Sequence, residues 1–309
     1  MNKLIITLLT LLCCTMTQAQ EVTTYEENHL FSQMDKNDKA ALLMVHFGTT
    51  YDDTRAKTID IINEKAHRLF PQMELRESLT SRIILRRLKA RGIVKDTPME
   101  AMMRLCAEGY THLIVQSTNI IEGVEMESLR RDVERMKPFF KEIRVGDPLL
   151  YHVEDAQKVV EILRQRVPVD VKKKEHVLLV GHGTETPATA IYSEVDYMFK
   201  AKGHTNYHVG TIEGYPTFDT ALQQIQQMKG KTVTLMPLMF VAGDHAKNDI
   251  SQDWKEQLEA AGMKVVLHIE GLGEIPEIQD IFMGHIRKMI QYRKRDISEK
   301  KSIYTKQKD

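Results

Sequence analysis

From Lys39 onward the chain alternates short apolar runs with longer segments in which apolar positions return with a helical period. The runs Ala41 to Phe47, Glu74 to Leu79, Leu113 to Gln116 and Ile143 to Val145 predict strands. Between them, Asp53 to Leu69, Ile83 to Lys89, Pro98 to Glu108 and Glu127 to Phe139 predict helices. The order repeats after Tyr151, with strands at Val177 to Val180, Tyr207 to Thr211, Val233 to Met236 and Val265 to His268. Its helices are predicted over Glu154 to Gln165, Ala188 to Lys200, Phe218 to Met228 and Asp249 to Ala261, with a last amphipathic helix over 277–292. Strands that alternate with helices form parallel sheets covered by helices on both faces. The expectation is therefore an α/β protein of two similar Rossmann-like halves, 39–150 and 151–292. Residues 20–38 read as a polar arm that orders on contact or frays, and 293–309 as a solvated basic tail.

Residues 1–19 stand apart. A basic start at Lys3, the apolar run Leu4 to Cys14 and the small-residue site Thr17-Gln18-Ala19 read as a secretory signal, the run being too short to span a bilayer as a helix. Cleavage after Ala19 predicts an exported, periplasmic protein beginning at Gln20. Cleavage before Cys13 or Cys14 would make a membrane-anchored lipoprotein instead, although Leu12 and Cys13 are poor residues before such a cut.

Composition narrows the functional classes. Lys and Arg total 43 against 43 Asp and Glu, so the chain lacks the basic excess that nucleic-acid binding requires. Of three cysteines, Cys13 and Cys14 leave with the signal. Cys106 alone excludes an internal disulfide framework and any multi-cysteine metal site. It reads as a small apolar residue of an amphipathic helix.

The two halves resemble one another in residues as well as in pattern. Leu-Leu-Met-Val-His-Phe-Gly-Thr at 42–49 is similar to Leu-Leu-Val-Gly-His-Gly-Thr at 178–184, and Leu113 to Glu125 aligns without gaps on Val233 to His245. Facing α/β halves form a cleft at the carboxyl ends of their strands, where such sheets place ligands. His182, Glu213 and His245 all follow second-half strands and sit beside glycines. Two imidazoles and a carboxylate there suit a divalent transition metal with open positions, Co²⁺, Fe²⁺, Ni²⁺ or Zn²⁺. The alternative is that such histidines simply hydrogen-bond neighbouring loops. In the first half, His46 ends a strand beside Gly48 and could serve as base or as buried structural ring. Glu125 closes the turn equivalent to that of His245 and is a candidate for substrate contact. Arg82, in a basic segment with Arg86, Arg87 and Lys89, is placed against a polycarboxylate if the ligand is one, since a guanidinium pairs carboxylates bidentately.

Other signals are weaker. His204 and His208 read as surface histidines. Gly230-Lys231-Thr232 looks like the end of a phosphate loop, but Ile225 stands where its leading glycine belongs, so no nucleotide site is expected. Neither Gly-x-Ser-x-Gly nor Gly-x-Gly-x-x-Gly occurs.

In order along the chain come Leu-Leu-Met-Val-His-Phe-Gly-Thr-Thr-Tyr, Leu-Thr-Ser-Arg, Asp-Thr-Pro-Met-Glu-Ala-Met, Leu-Ile-Val-Gln-Ser-Thr-Asn-Ile-Ile-Glu-Gly-Val-Glu, Val-Gly-His-Gly-Thr-Glu and Phe-Val-Ala-Gly-Asp-His-Ala-Lys-Asn-Asp. Together they resemble the anaerobic cobalt chelatases of the CbiK type, the sirohydrochlorin cobaltochelatases, from about Lys39 to Ile290. The resemblance implies ATP-independent insertion of Co²⁺ into a tetrapyrrole held between two α/β domains. It implies that His182 and His245 are metal-binding and catalytic, and that Glu213 is the metal-binding acid. One imidazole would accept the protons that leave the pyrrole nitrogens. Two departures concern the cleft: His46 stands where a serine is frequent, and Gln116-Ser117-Thr118-Asn119 replaces a segment containing proline and histidine. With the export signal, they raise a second expectation, an exported protein that binds haem, removes its iron, or carries metal or tetrapyrrole. A homo-oligomer is compatible with either.

Overall fold

The computed structural model describes residues 24–244 and 246–306. The signal read over 1–19 and His245 lie outside the described residues, as do the side chains of Ala246 and Lys247.

The strands are β1 (Tyr25–Glu27), β2 (Ala40–His46), β3 (Glu74–Leu79), β4 (His112–Ser117), β5 (Glu142–Val145), β6 (Glu175–Gly183), β7 (Tyr207–Glu213), β8 (Thr232–Pro237), β9 (Lys264–Leu267) and β10 (Tyr292–Lys294). The helices are α1 (Asp52–Lys57), α2 (Ile59–Leu69), α3 (Arg82–Ala90), α4 (Pro98–Ala107), α5 (Val124–Met136), α6 (Val153–Arg166), α7 (Ala190–Ala201), α8 (Phe218–Gln227), α9 (Lys255–Ala260), α10 (Pro276–Gln291) and α11 (Ile297–Lys306). A π-helical segment, Ala246–Trp254, precedes α9.

Two parallel sheets result, ordered β3-β2-β4-β5 and β7-β6-β8-β9. The orders are equivalent, so the sequence repeat is a repeat of topology, with β4 and β8 in the same place. Hydropathy decides which strands are central. Every residue of β2 and β4 is buried, as a strand covered on both faces requires, whereas edge strand β9 is mostly exposed. Helix starts are set by short polar side chains: Ser81 caps α3, Thr97 and Glu100 form a capping box on α4, and Thr217 caps α8.

One hydrophobic cluster joins Leu42, Met44 and Ile114 of the first sheet to Val177, Leu179 and Met236 of the second. Its centre is α10, whose Ile278, Phe282, Met283 and Ile286 are buried and which packs back against β4. The halves thus have separate sheets and a common core.

Three expectations are corrected. The helix predicted over Asp53 to Leu69 is broken at Thr58 (φ −122°, ψ −76°), whose hydroxyl donates to the Thr54 carbonyl at 2.6 Å and competes with the helical ladder. The tail is not simply solvated: β10 pairs antiparallel with β1, and α11 follows. His208 is no surface residue. It is fully buried, stacked on His176, with its Nε2 2.9 Å from His176 Nδ1 and its Nδ1 2.9 Å from Gln224 Oε1. Burial pushes its pKa down to about 3.

Candidate active site

The loops after β2, β3 and β4 meet those after β6, β7 and β8 around one cavity of about 520 Å³. This is the carboxyl-end crevice of both sheets, and its size is ordinary for a small-molecule site. Its surface is largely apolar, with Phe47, Ile83, Ile121, Val124, Met239 and Phe240 among the lining residues. Phe47, Ile83 and Val124 are large apolar side chains left exposed by this opening.

On the second-half wall, His182 and Glu213 come from neighbouring strand ends, with Gly183 and Glu213 in register. Gly183 makes that approach possible. Its φ is +83°, and a Cβ there would lie 1.4 Å from the Glu213 carbonyl oxygen. His182 Nδ1–H donates to the Gly183 carbonyl at 3.2 Å, since that partner can only accept. In the neutral ring this fixes the tautomer with its lone pair on Nε2, the form that ligates a metal. Glu213 is exposed at the rim. Among the described residues no three His, Cys, Asp or Glu side chains are grouped to hold a metal. The third member expected from sequence, His245, follows Gly243 and Asp244, which both line the cavity.

On the first-half wall, His46 is buried at the cavity edge, with both ring nitrogens engaged. Nδ1 lies 2.9 Å from Thr118 Oγ1 and Nε2 lies 3.0 Å from Asn63 Oδ1. Asn63 donates its amide to Glu77, which Arg55 also holds. That relay assigns Nε2–H as donor to Asn63 and leaves Nδ1 to accept from Thr118. Burial pushes the His46 pKa down to about 4, and its ring stacks on Phe240 of the other half at 6.1 Å. The ring is thereby built into the wall as a neutral spacer.

Glu125 lines the same cavity as Glu213, at the position that the repeat makes equivalent to His245. Arg82 does not line it. It lies in a smaller cavity of about 190 Å³ with Thr80, Thr97 and Arg135, which touches the first only in sharing Glu125. The reason is helical phase: α3 begins at Arg82 and turns Ile83, Ile84 and Arg87 to the cleft. Sequence reading missed Arg87, Tyr51 and Asp244. The first could have been found from its i, i+4 spacing to Ile83.

The cobalt chelatase (CbiK) family matches residues 40–291. This chain belongs to that family. As a CbiK-family member it is a metal chelatase, a lyase-class enzyme with a divalent metal as substrate. It is 37% identical over 257 residues to the sirohydrochlorin cobaltochelatase of Salmonella typhimurium, covering 82% of this chain and 97% of the relative. It is 33% identical over 254 residues to the sirohydrochlorin cobaltochelatase CbiKC of Nitratidesulfovibrio vulgaris, covering 80% and 89%. The fold of this chain is similar to that of SirB from Bacillus subtilis with Fe³⁺, at TM-score 0.59 and 16% identity, over 82% of this chain and 96% of that one.

Proposed function

We propose that the protein is an exported sirohydrochlorin cobaltochelatase. It exchanges the two pyrrolic protons of the macrocycle for Co²⁺ without ATP. The observation that carries this reading is the apolar cavity between the halves, lined by both His182 and Glu213 from neighbouring strand ends. A flat conjugated ring fits between apolar walls, and a metal delivered from the wall meets its nitrogens face on. Sirohydrochlorin and cobalt are the substrates named for the two relatives.

His182 Nε2 and the Glu213 carboxylate hold the metal, joined by His245 as the resemblance implies. A neutral imidazole then accepts protons from the pyrrole nitrogens as the metal leaves its protein ligands. The Gly183 carbonyl keeps the His182 ring oriented throughout. The signal read from the sequence over 1–19 supports export to the periplasm.

The test is cobalt insertion by the purified protein, followed as the absorption change of sirohydrochlorin. Rates equal to the uncatalysed reaction would overturn the reading. His182→Ala and Glu213→Gln are each expected to lower the rate by at least about 100-fold, the upper range for groups that merely orient ligands. Fractionation of the cells that make the protein tests export, and recovery with the cytosol overturns it.

A further inference from the structure

The charged side chains around the cleft are unequal in sign. Glu125, Glu185, Glu213 and Asp244 line it, and among the described lining residues Arg87 is the one Lys or Arg. Its Nη1–H donates to Asp244 Oδ2 at 2.9 Å, from a helix of the first half to a turn of the second. Tyr51, also from the first half, donates its hydroxyl to the other oxygen, Oδ1, at 2.7 Å. Asp244 is thus held at two points across the cleft mouth, directly before position 245.

The two holds differ in kind. Arg87 and Asp244 are 54% and 47% exposed, and ion pairs so open to water contribute little net stability. A guanidinium gives up such a partner readily for another carboxylate that it can grip with two N–H groups. The Tyr51 bond is not affected by that exchange.

We propose that Arg87 recognises a peripheral carboxylate of the tetrapyrrole, and that Asp244 occupies it until the substrate arrives. On binding, Arg87 turns from Asp244 to the substrate, while Tyr51 keeps the Asp244 turn in place. The exchange admits a polyanion to an acid-lined cleft. It also lets carboxylate substituents, and not the ring alone, decide what enters. The inference rests on the tetrapyrrole reading above.

Equilibrium titration of metal-free sirohydrochlorin into the purified protein, read by its fluorescence over a salt series, tests it. Arg87→Ala is expected to raise Kd about tenfold and flatten the salt dependence, with Arg87→Lys between it and the wild type. Asp244→Asn removes the competing carboxylate and is expected to lower Kd. A Kd for Arg87→Ala within about twofold of wild type overturns the proposal. So does an Asp244→Asn variant that weakens binding as much as Arg87→Ala does, because the pair would then be only a strap. Cobalt insertion measured in parallel separates the two readings. Wild type that binds through Arg87 but inserts no metal overturns the chelatase reading alone, and an unaltered Arg87→Ala Kd with full insertion overturns this one alone. Absence of sirohydrochlorin binding by the wild type overturns both.

Discussion

Gly183 concentrates two requirements in one residue, a left-handed backbone and room for the neighbouring carbonyl of Glu213. Gly183→Ala must separate the ends of β6 and β7, and with them His182 from Glu213. The expected result is a loss of about 1–3 kcal/mol in urea unfolding together with a rate loss of tenfold or more in cobalt insertion. Unimpaired insertion would show that the two strand ends need not be so closely placed. His46 makes a different prediction. The folded ring stays neutral to about pH 4, whereas the unfolded ring takes up a proton near 6.5. The unfolded state therefore binds more protons in that window, and stability declines as the pH falls from about 6.5 toward 4. His208 adds to the same decline. Urea unfolding between pH 7 and 5 should show it, with a shallower slope in His46→Gln; equal slopes would contradict the neutral, buried assignment. The motifs announced His182 and Glu213 as strand-end groups because strand ends and glycines are local features. They could not separate Arg82 from Arg87, which differ in helical phase, or place His208, whose burial depends on helices packed over the sheet.

At the scale of elements, the ribbon β1–β10 brings together segments 267 residues apart, as between Glu26 and Arg293, so no local pattern foretells it. What fastens it is Asp147, in the connection between the halves and 2% exposed. It accepts from Tyr25 Oη at 2.9 Å, Lys294 Nζ at 2.8 Å and Arg130 Nη2 at 3.1 Å, with His152 Nε2 at 3.2 Å. Burial alone would raise its pKa, but His152, Lys294 and Tyr25 more than offset that and hold the carboxyl well below its usual range. Its contribution is present above the ordinary carboxylate pKa and lost as the pH falls through the lowered one. Asp147→Asn leaves Arg130 and Lys294 without their shared anion and is expected to cost about 3 kcal/mol, measured by urea unfolding at pH 7. Tyr25→Phe removes one bond and should cost about 1 kcal/mol. The succession of strands along the chain was legible because burial on both faces makes such strands continuous apolar runs; their order within each sheet was not. The break at Thr58 was not, since a back-bonded hydroxyl leaves the hydrophobic period unchanged.

For the whole molecule, the shared core means that the halves are not separate folding units, although their repeat suggests it. Phe282 is fully buried between them and meets Phe240 edge to face at 5.8 Å. Phe282→Ala is expected to cost about 3–5 kcal/mol and to lower amide protection in β2 and β6 together. Two separate unfolding transitions in calorimetry would contradict this. The same packing bears on how a ligand travels. From Phe282 through Phe240 to His46, rings in contact run from the core to the cavity wall, binding one half to the other behind the opening. A jaw wedged at its back in this way keeps its gap when empty. If the guest is the planar tetrapyrrole proposed above, it is expected to slide in and out edgewise, as a card does in a slot, with a residence time set by the grip on its rim.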